Sequence, residues 1–253
     1  MLSSAADIHA SKAWMYDQLA KYYKYSHPQK HIEFYMKHYE EVQKFIAMYQ
    51  QGRSQYAPVS MQPAQIRILH ASPNAPAVDI YVNGQRIVQN ITFKQHSNYV
   101  SLPQGQYRID VYPTSTQSAP LFSAIVPAMG GYIYTIAAAG DIAKLQLLSF
   151  ADGTYLPYGK AKIRFTHLSP DAPAIDLAMK DSDILFANVP FKQATEFLEV
   201  SPGGADLDVH VAGMKNVILS LSDVKVEANK IYNIYAIGFT NKEPKLEALF
   251  LTN

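Results

Sequence analysis

The hydrophobic pattern changes once along the chain. Up to about residue 52 the apolar residues recur at helical spacing. Ile32, Tyr35, Tyr39, Val42, Ile46 and Tyr49 follow alternating steps of three and four, which places them on one face of a helix. Lys37, Glu40, Glu41 and Lys44 fall largely off that stripe, so the helix is amphipathic. Ahead of it Ile8, Met15 and Tyr22 stand seven apart, with Leu19 on the same side. Pro28 interrupts, because proline lacks an amide hydrogen and disfavours helix at the residue before it. The spacing predicts two antiparallel helices, about 5–25 and about 29–50, stopped at Gly52. Such a hairpin buries little alone, so its stripe needs cover: a protein partner, self-association with a second copy, or the first β-domain.

From Ile66 the period becomes two. Tyr107, Ile109 and Val111 alternate with Arg108, Asp110 and Tyr112; Leu207, Val209 and Val211 alternate with Asp206, Asp208 and His210. Turn signals such as Asn83-Gly84, Gly130-Gly131 and Pro202-Gly203-Gly204 separate the runs. About seven short strands fit each unit of about 90 residues, the signature of an antiparallel sandwich. There are two units. The stretch from His70 through Ser72, Pro73, Asn74 and Pro76 to Asp79 returns as His167 through Ser169, Pro170, Asp171 and Pro173 to Asp176. Phe93-Lys94-Gln95 matches Phe191-Lys192-Gln193, Tyr99 matches Phe197, and Leu145 to Phe150 matches Leu246 to Leu251. The expected fold is mainly β: two tandem antiparallel Ig-like β-sandwich domains, 65–152 and 161–253, preceded by an N-terminal α-helical hairpin, 1–52. Polar, proline-bearing stretches at 53–64 and 153–160 read as linkers.

The repeated phrase His-x-Ser-Pro-(Asn/Asp)-Ala-Pro-Ala-(Val/Ile)-Asp, followed in the first copy by Ile80-Tyr81-Val82-Asn83-Gly84, resembles the bacterial domain of unknown function 4397 in two tandem copies over residues 66–253. The helical segment lies outside the resemblance. The resemblance implies a β-sandwich and an envelope-associated or secreted setting, and it brings no catalytic residues. The second copy replaces the Asn-Gly turn by Lys180-Asp181-Ser182-Asp183.

A histidine, a serine and an aspartate within ten residues invite a hydrolytic reading. That chemistry needs the carboxylate on one imidazole nitrogen and the hydroxyl on the other. Alternation opposes it. Ile66, Ile68 and His70 share one strand face, whereas Asp79 alternates with Val78 and Ile80 and is expected to point outward, as is Asp176. The motif therefore reads as structural: Ser72 and Ser169 cap backbone donors, His70 and His167 bond loop carbonyls, and Asp79 and Asp176 bond backbone amides.

Composition excludes several alternatives. The chain has no cysteine, hence no disulfide, thiolate ligand or cysteine nucleophile. A net charge of +1 gives no electrostatic case for nucleic acid. No run approaches the length of a transmembrane segment. His27, His31 and His38 lack a carboxylate at metal-motif spacing, so neither a metal nor a cofactor is called for. The first residues carry no basic start and no apolar run, so a surface placement points to deposition on a spore or cell surface after cytoplasmic synthesis. The expectation is a non-enzymatic structural or interaction protein. The alternative is a ligand- or glycan-binding module using the cleft between the sandwiches, with a hydrolase as the third choice.

Overall fold

A computed structural model describes residues 3–23, 27–52, 62–114 and 119–253, with side chains given from residue 8 and omitted at 28 and 48–52. The chain divides into two compact units, Met1–Ser60 and Met61–Asn253.

The first unit is the helical hairpin, α1 (Ser3–Tyr23) and α2 (Pro28–Gly52). Small residues set the contact: Ala13 and Ala20 are buried. Histidines cross the space they leave. Nδ1 of His38 lies 2.9 Å from the Ala13 carbonyl, and Nδ1 of His31 lies 2.9 Å from that of Ala20. His9 meets Glu41 at 2.5 Å, and the ring of Phe34 stacks on Tyr16 and Tyr23. Of the three histidines His27, His31 and His38, the last two brace helix carbonyls and His27 sits edge-on to the Tyr23 ring. The apolar stripe lies beside this contact and is exposed: Ile32 61%, Tyr35 56%, Tyr39 53% and Ile46 40%, with Val42 half-buried. The Tyr49 side chain lies outside the described residues, and so does most of the expected linker at 53–64.

Among its described residues the second unit holds sixteen strands in two groups of eight. The first group is β1 (Ala64–His70), β2 (Val78–Val82), β3 (Gln85–Ile91), β4 (Val100–Leu102), β5 (Gly105–Pro113), β6 (Phe122–Ala128), β7 (Ile133–Ala139) and β8 (Gln146–Ala151). The second is β9 (Ala161–His167), β10 (Ile175–Met179), β11 (Ile184–Val189), β12 (Leu198–Val200), β13 (Gly203–Val211), β14 (Val217–Val226), β15 (Ile231–Ile237) and β16 (Glu247–Thr252). Each group forms two four-stranded sheets in the same order, β4-β1-β7-β8 over β3-β2-β5-β6 and β12-β9-β15-β16 over β11-β10-β13-β14. The sheets are antiparallel except for one parallel pair per group, β1 with β7 and β9 with β15. The seventh strand returns beside the first only after the chain has built the facing sheet, and that crossover makes the pair parallel.

Alternation fills each sandwich. Ile66, Ile68, Val78, Ile80, Ile109, Val111 and Ile136 form the first core; Ile163, Phe165, Ile175, Leu177, Val209 and Ile234 form the second. A third core joins the two sandwiches: Leu69, Ala71, Ala137, Ala139 and Phe150 pack with Leu168, Tyr235, Ile237 and Leu251. The sheets holding β1 and β9 are therefore buried on both faces, and β15 has no exposed residue. The chain carries four β-layers packed as one body, not two sandwiches on a short tether.

Candidate functional site

The repeated motif sits at the end of β1 and β9. Nε2 of His70 lies 3.1 Å from the Pro76 carbonyl, and Nε2 of His167 lies 2.9 Å from that of Pro173. A carbonyl only accepts, so Nε2 carries a hydrogen in both rings. In the second copy Nδ1 accepts from the Ser169 amide at 3.2 Å. Burial pushes both imidazoles below their ordinary pKa, against a smaller opposing effect of those backbone bonds.

That depression has a sign. A histidine held neutral in the fold and free to charge when unfolded leaves the unfolded chain with more protons below about pH 6.5. Its contribution is present above that pH and is lost as pH falls toward the folded value. The urea midpoint is expected to drop between about pH 7.5 and about pH 5.5, before most carboxylates titrate. An unchanged midpoint would show that His70 and His167 charge freely in the fold.

Serine and aspartate do not join histidine. Ser72 Oγ donates to the Gly140 carbonyl at 2.6 Å, and Ser169 Oγ lies 3.4 Å from Asp171 Oδ1. Both hydroxyls therefore donate, whereas alternation and turn logic had them capping amide donors. Ser72 finds the carbonyl of a distant loop residue and Ser169 the carboxylate of Asp171 in its own turn. Proline explains the shape: Pro73 and Pro170 turn the chain, and Pro76 and Pro173 carry the carbonyls that the histidines hold.

Asp79 and Asp176 are on the outer side of their strands, as the alternation places them, but they are buried rather than exposed, at 2% and 3%. Asp79 Oδ1 accepts from the Asn90 amide (2.8 Å) and the Thr114 hydroxyl (2.9 Å), with Arg86 at 3.3 Å from Oδ2. Asp176 accepts from the amides of Asn188 (2.6 Å) and Gly213 (3.0 Å). Asn90 and Asn188 have φ of 53° and 51°, and both sit where pairing with β2 or β10 slips. The motif aspartate thus holds a bulge in an edge strand, β3 or β11, in the left-handed region that asparagine tolerates. Bulged edges resist pairing with other chains.

Between the sandwiches the structure places residues that sequence reasoning passed over. Arg67 on β1 and Arg164 on β9 occupy equivalent positions, and each reaches the last strand of the other sandwich. Arg67 Nη1 donates to the Thr252 carbonyl at 2.9 Å, and Arg164 Nη1 donates to the Ala151 carbonyl at 2.5 Å. Tyr99 and Phe197, matched in the repeat, lie under the two guanidinium groups at 4.6 Å. One carboxylate serves both: Asp152 is 2.8 Å from Arg164 and 3.8 Å from Arg67, and it accepts from Thr135 (2.6 Å) and Tyr99 (2.9 Å). Burial, then the Asp152 charge, push the Tyr99 phenol well up, so it stays a donor. In the sequence Asp152 stands at the edge of the 153–160 linker. The available signal was an arginine inside an apolar strand, twice: Ile66-Arg67-Ile68 and Ile163-Arg164-Phe165.

The expected cleft is thus a packed core in its middle. What remains is a marginal groove of about 540 Å³, walled by Val88–Ile91 and Lys94–His96 of the first sandwich and Leu249–Leu251 of the second. Among the described residues no group of three histidine or acidic side chains is placed to hold a metal ion, and no helix is long and apolar enough to cross a membrane.

Residues 64–178 match the model of a domain of unknown function, DUF4397, which covers the first sandwich and the opening of the second. No curated protein matches the chain. Similar solved structures include the C-terminal domain of AlgF from P. aeruginosa, with 19% identity and a TM-score of 0.30 over 38% of this chain and 99% of that one. They also include a candidate cell adhesion protein from Bacteroides fragilis, with 9% identity and a TM-score of 0.18 over 76% of this chain and 97% of that one.

Proposed function

We propose that this chain is a non-enzymatic interaction protein that works in assembly at a bacterial cell or spore surface. Its β-body, two copies of the DUF4397 type, is a rigid platform, and its helical hairpin docks a protein partner. The carrying observation is the exposed apolar stripe Ile32, Tyr35, Tyr39 and Ile46, because exposed apolar area of that extent on a soluble protein marks an interaction site. Aromatic residues suit such a face, since tyrosine buries a large rigid ring and keeps a polar tip. Further support comes from the motif, whose His70, Ser72 and Asp79 each bond a different loop and share no bond with one another. Identical strand order and the paired left-handed asparagines support the second copy. The surface setting rests on the family resemblance.

Photo-crosslinking tests the reading in the cells that make the protein. With benzoylphenylalanine in place of Tyr35, adducts to protein should form in the surface fraction; in place of Tyr158, exposed on the β-body, they should not. No adduct from position 35, together with a thermal shift of the full chain by a glycan or small ligand, would hand the function to the marginal groove instead.

A further inference from the structure

The α1–α2 contact leaves the stripe over. Ala13 meets His38 and Ala20 meets His31. In antiparallel helices the residue after a contact position turns to the same flank on both. Tyr39 follows His38, Ile32 follows His31, and Trp14, 68% exposed, follows Ala13, so one flank carries all three. From Ile32 through Tyr35, Tyr39 and Val42 to Ile46 the steps are three, four, three, four. That is the 3.5-residue period of a coiled-coil seam, which fits a helix as its partner.

We infer that the occupant is the same flank of a second copy, packed antiparallel about a two-fold axis at Tyr39 to give a four-helix bundle. This rests on the docking reading above and names its partner. Antiparallel pairing sets Ile32 against Ile46, Tyr39 against its own copy on the axis, and Tyr35 against Val42; that last layer sets large against small, whereas parallel pairing sets Tyr35 against Tyr35 and leaves Val42 facing Val42. The positions beside the seam, Met36 and Gln43, are uncharged, so identical copies meet no repulsion there. Farther out, Glu33 comes within one residue of level with Lys44 of the other copy, and Lys37 with Glu40, opposite signs in both cases, beside the pairs that Glu33, Lys37 and Lys44 make on their own helix. The flank is about 20 Å across two helices and about 25 Å long, hence about 500 Å² per copy and about 1,000 Å² in the pair, the lower bound for a specific interface. An isologous pair also closes, as two-fold contacts do.

The natural chain has no cysteine, so an introduced thiol is unique. Light scattering of the full chain should give twice the chain mass. Ile32→Cys and Ile46→Cys chains, mixed in equal amounts and oxidised, should yield the mixed 32–46 disulfide in several-fold excess over the two like disulfides. Glu33→Cys, on the outer flank, should stay uncrosslinked, and helical circular dichroism of each variant confirms that the hairpin is intact. A mass of one chain overturns the inference, as does an excess of 32–32 and 46–46 disulfides or a random mixture. One-chain mass with Tyr35 adducts to a different protein leaves docking standing and removes the second copy.

Discussion

Replacing Asp152 by asparagine is expected to lower the stability of the β-body by about 3–5 kcal/mol, the range found when one partner of a buried ion pair is removed. The side chains of Arg67, Arg164 and Asp152 are 5% exposed or less. With the carboxylate gone, two guanidinium groups remain buried without a counter-charge. Asparagine keeps one acceptor oxygen, which cannot serve both Arg164 and the Thr135 and Tyr99 hydroxyls, so one side is left with donor facing donor. Urea unfolding reads the loss. Glu227→Gln, which removes a surface pair with Lys230, should change stability by less than about 1 kcal/mol. Equal effects for the two variants would mean that the arginines find other partners.

The second large effect is Gly238→Ala, expected to cost about 3 kcal/mol or more. Gly238 follows the last residue of β15 with φ of 91°, and a Cβ there would stand 2.2 Å from the Lys245 carbonyl oxygen and 2.7 Å from its carbon. Those atoms are backbone and are held in place: Phe239 N–H donates to the Pro244 carbonyl at 2.9 Å, and Leu246 N–H donates to that of Phe239 at 2.7 Å. Neither side can yield without breaking these bonds. Gly84→Ala separates clash from strain, because Gly84 has φ of 81° but nothing within 4 Å of the added carbon. It should cost only the left-handed penalty, about 1–2 kcal/mol. Similar thermal-melt losses for both would show that the loop after β15 moves freely.

Both effects fall where the sequence was hardest to read. The helices, the tandem β architecture and the chemistry of His70 and His167 followed from local pattern, since periodicity and turn residues report which face of an element is apolar. The alternation that sent Asp79 outward was right about its side and wrong about its burial. A carboxylate can lie on the outer side of a sheet and still be enclosed by the bulge it holds. The third core escaped because single-strand alternation assumes one buried face. Tyr134 through Ala139 and Ile231 through Ile237 are nearly continuous apolar runs, the mark of strands covered on both faces. Arg67 and Arg164 were hidden for the same reason, since a charge opposite the core face reads as solvent-exposed until a second layer covers it. The exposed stripe on α2 was legible as a stripe, but the small-residue contact between α1 and α2 was not. Ala13 and Ala20 carry little hydrophobic signal and act by allowing close approach.

Calorimetry of the full chain tests most directly whether the repeated chemistry is spent on welding two repeats into one body. If it is, residues 61–253 melt in a single transition whose calorimetric and van't Hoff enthalpies agree, and Asp152→Asn moves that whole transition downward. Two separate β transitions, or an Asp152→Asn shift confined to one of them, would contradict it.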